Sequence, residues 1–148
     1  MPVPAMLGPG DQGWDCRMPD GPVGATPVLQ AAVNIGGSLA IGASKYGRRN
    51  IIPITGGTFS GDAEGTVISG GADFQLTPSS GSGLQIEARY TLRTDDGELI
   101  SVRNCGGSGG TRLQFETRAA GPYAYLNADG FTGTIGLRLG GVLISVFK

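Results

Sequence analysis

Asp73, Gln75, Glu87 and Arg89 are the side chains of this sequence whose types and spacing could do chemistry together. Within each pair one residue intervenes, the spacing that puts both members on one face of a β-strand. A carboxylate flanked by a guanidinium can stay ionised and serve as a base, whereas a desolvated carboxyl is raised in pKa and can serve as an acid. The chain contains no histidine, which excludes Ser-His and Cys-His nucleophilic machinery and the usual histidine metal sites. Proton transfer must therefore come from carboxylates, tyrosines or lysines. A Walker loop, a C-x-x-C pair and a calcium loop are all missing. "GPGDQG" (Gly8 to Gly13) matches G-x-G-x-x-G, but it has no strand before it and no helix after it. Neither a cofactor nor a metal is signalled.

The elements that must position these residues are short strands. From Thr26 onward, apolar and polar residues alternate with period 2 between turn residues, and helical spacing is sustained nowhere. Leu29, Ala31, Val33 and Ile35 open a first strand, which Ser38 to Ile41 continue past a Gly36-Gly37 bulge. "NIIPITGGTF" (Asn50 to Phe59) and "GTVISGGADFQL" (Gly65 to Leu76) follow, each broken by a glycine pair. "LQIEARYTLRT" meets "ELISVRN" across Asp95-Asp96-Gly97, a strong hairpin turn. "TRLQFET", "YAYLNADGFTGTIGLRL" and "GVLISVFK" complete the set. Eight or more short antiparallel strands with glycine corners suit a closed barrel or a sandwich, and closure best explains how so many kinked strands avoid exposed edges. Ala72, Phe74 and Leu76 alternate with Asp73, Gln75 and Thr77, as Ala88, Tyr90 and Leu92 do with Glu87, Arg89 and Thr91. Pairing the two apolar faces puts Asp73, Gln75, Glu87 and Arg89 on one shared face. That face is either a solvated outer surface laced with ion pairs or the polar lining of a barrel interior.

The bulk properties bound the answer. A chain of 148 residues fits one domain. Residues 1–24 hold five of the nine prolines without periodicity and read as an irregular arm, followed by a barrel domain over 25–148. Glycine supplies 28 residues, well above the usual ~7% of a chain, with no Gly-X-Y period. Eleven basic against twelve acidic side chains leave no basic tract beyond Lys45, Arg48 and Arg49, so nucleic-acid binding through phosphate neutralisation is not expected. No charged n-region precedes an apolar one, no run of about 18 apolar residues occurs, and no Asn-x-Ser/Thr acceptor is present. A cytoplasmic protein without membrane contact is the expectation. Cys16 and Cys105 alone are not a disulfide framework and are expected to be free thiols. Tyr46, Tyr123, Tyr125, Phe59, Phe115 and Phe131 are expected mostly in the core, a few of them as a cavity wall.

Four segments, "GRRNIIPITGGTFSG", "GTVISGGADFQL", "EARYTLRTDDGELISVRN" and "FETRAAGPYAYLN", resemble in order and spacing the motifs of the DUF3237 family, also called UPF0311. The likeness covers Thr26 to Lys148, and the short connection "NCGGSGGTRLQFET" is similar to that of compact, often fungal members. The sequence departs from the family pattern in Tyr125, where tryptophan is common, and in "FETRAAGPY". The resemblance implies a lipocalin-like antiparallel β-barrel with a central cavity and little or no helix. It carries the recurring motif residues onto Arg48, Thr55, Gly56, Gly57, Asp73, Gln75, Glu87, Arg89, Tyr90, Arg103, Tyr123, Tyr125 and Asn127.

The reading that follows is a cofactor-independent enzyme that takes a small polyketide- or terpenoid-like metabolite into the barrel and promotes isomerisation, cyclisation or dehydration. Asp73 or Glu87 moves the proton, and Arg89, with Arg103, stabilises oxyanion charge. Arg48, Gln75, Tyr90, Arg103, Phe115, Tyr125 and Phe131 are the expected substrate contacts. The rival is a non-catalytic carrier barrel, which needs the same cavity with uniformly apolar walls. A structural module with a filled barrel is a third reading, and a homodimer is compatible with all three.

Overall fold

Period-2 patterning produces strands wherever one face can be buried, and nine are present in the computed structural model, which describes residues 24–81, 83–107 and 109–148. They are β1 (Pro27–Ile35), β2 (Leu39–Ser44), β3 (Gly47–Gly61), β4 (Gly65–Pro78), β5 (Ile86–Thr94), β6 (Leu99–Gly107), β7 (Gly110–Thr117), β8 (Phe131–Arg138) and β9 (Gly141–Phe147). A single 3₁₀ turn, Ala124–Asn127, stands between β7 and β8. Each strand from β3 to β9 pairs antiparallel with the next, and β1 pairs with both β9 and β3. That double pairing closes an eight-stranded antiparallel barrel. β2 lies outside the closed ring: it continues the line of β1 past Gly36-Gly37, as the sequence suggested, and pairs with the N-terminal half of β3.

One end of the barrel is packed solid. Leu92, Ile100, Leu113 and Phe131 are almost wholly buried there, and the Phe115 and Phe131 rings meet edge to face with centroids 5.2 Å apart. Leu126, from the 3₁₀ turn, joins the same core. The turn is tied down by Asn127, whose Oδ1 accepts from the Thr117 N–H at 2.9 Å and whose Nδ2 donates to the Thr117 carbonyl at 3.1 Å. Tyr123 donates its hydroxyl to Asp96 at 3.1 Å, and Asp96 also accepts from the Thr94 hydroxyl. Two residues of the recurring motif thus latch this segment, Tyr123 to the β5–β6 hairpin and Asn127 to the end of β7. Phe59, Phe115 and Phe131 occupy the core as expected, whereas Tyr46 and Tyr125 are about half exposed.

Cys105 is disulfide-bonded, which corrects the expectation of a free thiol. Spacing along a chain says nothing about the distance across a fold, and that distance decides whether two sulfurs can join. Cys16, the "GPGDQG" stretch and all of the expected arm but Gly24 lie outside the described residues.

Candidate functional site

The other half of the barrel holds a cavity of about 80 Å³. Its wall is mostly aliphatic, from Val33, Ile35, Ile52, Ile54, Ile86 and Ile144 among others, and four polar residues break it: Asp73, Gln75, Tyr90 and Asn104. The registers explain why these four converge. Val67 lies opposite Leu92, both buried, and this fixes which face of β4 and β5 points inward. Beyond it, Ile68 pairs with Thr91 and Ala72 with Arg89, so Ser69, Gly70 and Gly71 together oppose Tyr90. This bulge adds two residues to β4. An even insertion preserves the alternation, and Asp73 therefore emerges on the inner face opposite Ala88 and Ile52, with Gln75 opposite Asn50. Gly71 makes the bulge fit: a Cβ there would lie 2.5 Å from the Arg89 carbonyl oxygen and 2.6 Å from the Tyr90 Cβ.

The shared polar face expected from pairing the apolar sides does not exist. Asp73 and Gln75 point inward, whereas Glu87 and Arg89 point outward, their side chains 38% and 39% exposed, and meet each other at 3.4 Å. The reason is that the pattern reading put Phe74 and Leu76 on the same face as Ala88 and Tyr90, whereas it is Asp73 and Gln75 that share that face. Phe74 is partly exposed on the outer face, in a cross-strand row with Ile51 and Leu39 that gives its ring apolar neighbours there. The inner face at this end surrounds a cavity and need not be uniformly apolar.

The remaining expected contacts separate in the same way. Tyr90 lines the cavity, and burial pushes its phenol far up, leaving it neutral. Arg103 faces outward on β6, opposite Arg89 and Gln114. Arg48 is exposed beyond the cavity residues of β3. Phe115 and Phe131 belong to the packed end, and Tyr125, 48% exposed on the 3₁₀ turn, is not among the residues of the cavity wall.

Asp73 is the chemically distinctive group. Gln75 Nε2 donates to its Oδ2 at 2.9 Å, and the Glu87 backbone N–H donates to its Oδ1 at 3.1 Å. Burial raises its pKa above the usual carboxylate value, helped by the negative charge of Glu87 and opposed by those two hydrogen bonds. Asn104 was not anticipated. It lies on β6 between Ala88 and Leu113, with no exposed surface, and neither its Oδ1 nor its Nδ2 has a hydrogen-bond partner among the described residues. Each such orphaned group costs about 1–3 kcal/mol in a buried setting. The signal was available: in "ISVRN" the inward phase is Ile100, Val102, Asn104, and the third is polar where the first two are apolar. Among the described residues no group of three or more His, Cys, Asp or Glu side chains could hold a metal ion.

Comparison with known proteins places this geometry. A UPF0311 protein of Bradyrhizobium diazoefficiens is 38% identical over 79 residues, 53% of this chain and 51% of that protein. In such alignments the chain spans about half the length of the curated relatives it matches. The crystal structure of a beta-barrel like protein from Acinetobacter baumannii superimposes with a TM-score of 0.74 at 29% identity, over 87% of this chain and 97% of that one. An enzyme from Penicillium herquei shares the fold with a TM-score of 0.69 at 23% identity, over 87% and 98% of the two chains. The family model described as "Protein of unknown function (DUF3237)" matches residues 23–111, more than half of the sequence and the whole stretch from β1 to the start of β7; the chain belongs to that family.

Proposed function

We propose that the barrel cavity takes the reactive end of a small, largely apolar metabolite of polyketide or terpenoid type and that Asp73 moves a proton on it, giving isomerisation, cyclisation or dehydration without a cofactor. The observation that carries this reading is a single carboxyl, raised in pKa by burial, on a wall otherwise made of aliphatic side chains, two amides and the Tyr90 phenol. A carboxyl with an elevated pKa is a stronger base when ionised and remains available as an acid nearer neutrality. In an isomerisation, the Asp73 carboxylate takes a proton from the carbon beside a carbonyl and the C–H electron pair passes into the enolate. The carboxyl then returns the proton at the far carbon of the conjugated system, so no co-reactant is consumed. The likeness of fold to the Penicillium herquei enzyme is compatible with catalysis in such a barrel.

Cyclohex-3-enone, a single-ring β,γ-unsaturated ketone, tests the step, its conversion to the conjugated isomer being followed by ultraviolet absorbance. Asp73→Asn is expected to lower the protein-dependent rate by roughly 10²–10⁴-fold, the usual worth of a general acid-base group. Full activity in that variant would sink the proposal.

A carrier function is the second reading, favoured by the outward placement of Glu87 and Arg89 and by the aliphatic share of the wall. It expects saturable binding of the ketone with no conversion by the parent protein.

A further inference from the structure

Asn104 lies in the cavity wall, and neither its Nδ2 nor its Oδ1 has a hydrogen-bond partner among the described residues. Buried polar groups in folded proteins are overwhelmingly hydrogen-bonded. A leucine of similar size would fill the same inward position of β6, between Val102 and Gly106, without that penalty. Asp73 is differently placed: it already accepts from Gln75 and from the Glu87 N–H. Asn104 is thus a polar group of the wall with its whole hydrogen-bonding capacity left over.

We infer that Asn104 is the recognition group of the cavity, and that the group it receives is neutral and flat, with a carbonyl acceptor and an O–H or N–H donor side by side, as in a lactam or a vicinal hydroxy-ketone. Two antiparallel hydrogen bonds join such an edge to a carboxamide. The identification as a substrate contact rests on the catalytic reading above; the binding itself does not. Neutrality follows from the wall: aliphatic side chains do not solvate an ion, and an anion would meet Asp73. Size follows from the cavity, whose volume of about 80 Å³ lies far below the roughly 300–1,000 Å³ of pockets for drug-sized ligands. Only the edge of one small ring enters, since a cavity that encloses benzene is about 150 Å³, and the remainder of the molecule stays outside.

The probe is 2-pyridone, whose C=O and N–H stand side by side, compared with N-methyl-2-pyridone, in which the donor is blocked. Both are titrated into the full-length protein by calorimetry. The parent is expected to bind 2-pyridone at least about ten-fold more tightly, and Asn104→Leu is expected to bind the two equally while melting at a higher temperature than the ligand-free parent. The Asn104 side-chain NH₂ resonances of the parent supply a readout that does not depend on the variant folding; they should shift with 2-pyridone and not with its N-methyl form. Equal affinities in the parent, a preference that survives Asn104→Leu, or NH₂ resonances unmoved by 2-pyridone would each overturn the inference. Asp73→Asn separates the two ideas, because it should keep the preference for 2-pyridone while losing isomerisation.

Discussion

Asp73 sits between opposing influences, and its protonation is where they become measurable. Burial favours the neutral carboxyl, whereas Gln75 and the Glu87 N–H favour the carboxylate; burial is the larger effect, so the pKa is raised. A carboxyl whose folded pKa exceeds its unfolded value binds its proton more tightly in the native state. The resulting stability is fully present below the ordinary pKa of 3.8 and is lost as pH rises through the folded value. Asp73→Asn removes the titration and keeps an acceptor for the Glu87 N–H. The variant's melting temperature relative to the parent should therefore increase between about pH 4 and about pH 8, a trend that calorimetric scans across that range check. A gap that narrows with rising pH would contradict the burial of this group. The chemistry of these residues was legible in the sequence, but their direction was legible only in part. Asp73, Gln75 and Tyr90 line the cavity, while Glu87 and Arg89 lie on the far side of the same sheet.

At the level of elements, the strands and the Asp95-Asp96-Gly97 hairpin follow from local chemistry: alternation builds the first, and Gly97, at φ 92°, makes the second easy. Registers across bulges did not follow. "SGG" at Ser69 to Gly71 announces an irregularity, yet nothing in those three letters says whether one or two residues are inserted, and that parity decides whether Phe74 or Asp73 faces inward. The glycines around the two bulges give a direct check. Gly71→Ala must displace the backbone of Arg89 and the Cβ of Tyr90, and is expected to destabilise by at least ~2 kcal/mol. Gly37→Ala, in the β1–β2 bulge, meets nothing within 4 Å and needs no positive φ; it should be neutral or stabilising by up to about 0.5 kcal/mol. Urea denaturation of the two variants compares them, and similar losses would refute the assigned geometry of β4.

For the whole molecule, closure depends on β1, which joins β9 on one side and β3 on the other. The closed barrel could be anticipated from the number of strands and their kinks; that β1 would meet β9 could not, because that pairing joins residues more than a hundred positions apart, as Leu29 and Val146 are. Removing residues 141–148 takes away the partner of β1 and of β8 together. The shortened chain should lose cooperative urea unfolding and expose apolar surface to a hydrophobic dye; a sharp transition would mean that the β1–β3 seam suffices on its own.

The position of that seam also orders events during synthesis. Every neighbouring pair from β3 to β9 is contiguous in sequence, so hairpins can zip one after another as the chain leaves the ribosome, whereas the β1–β9 contact must wait until β9 itself has been made. Until then the nascent sheet is an open ribbon with its inner face wet. The cavity, bounded by Val33 of β1 and Ile144 of β9, is consequently among the last features to exist, and no ligand can find it on an unfinished chain.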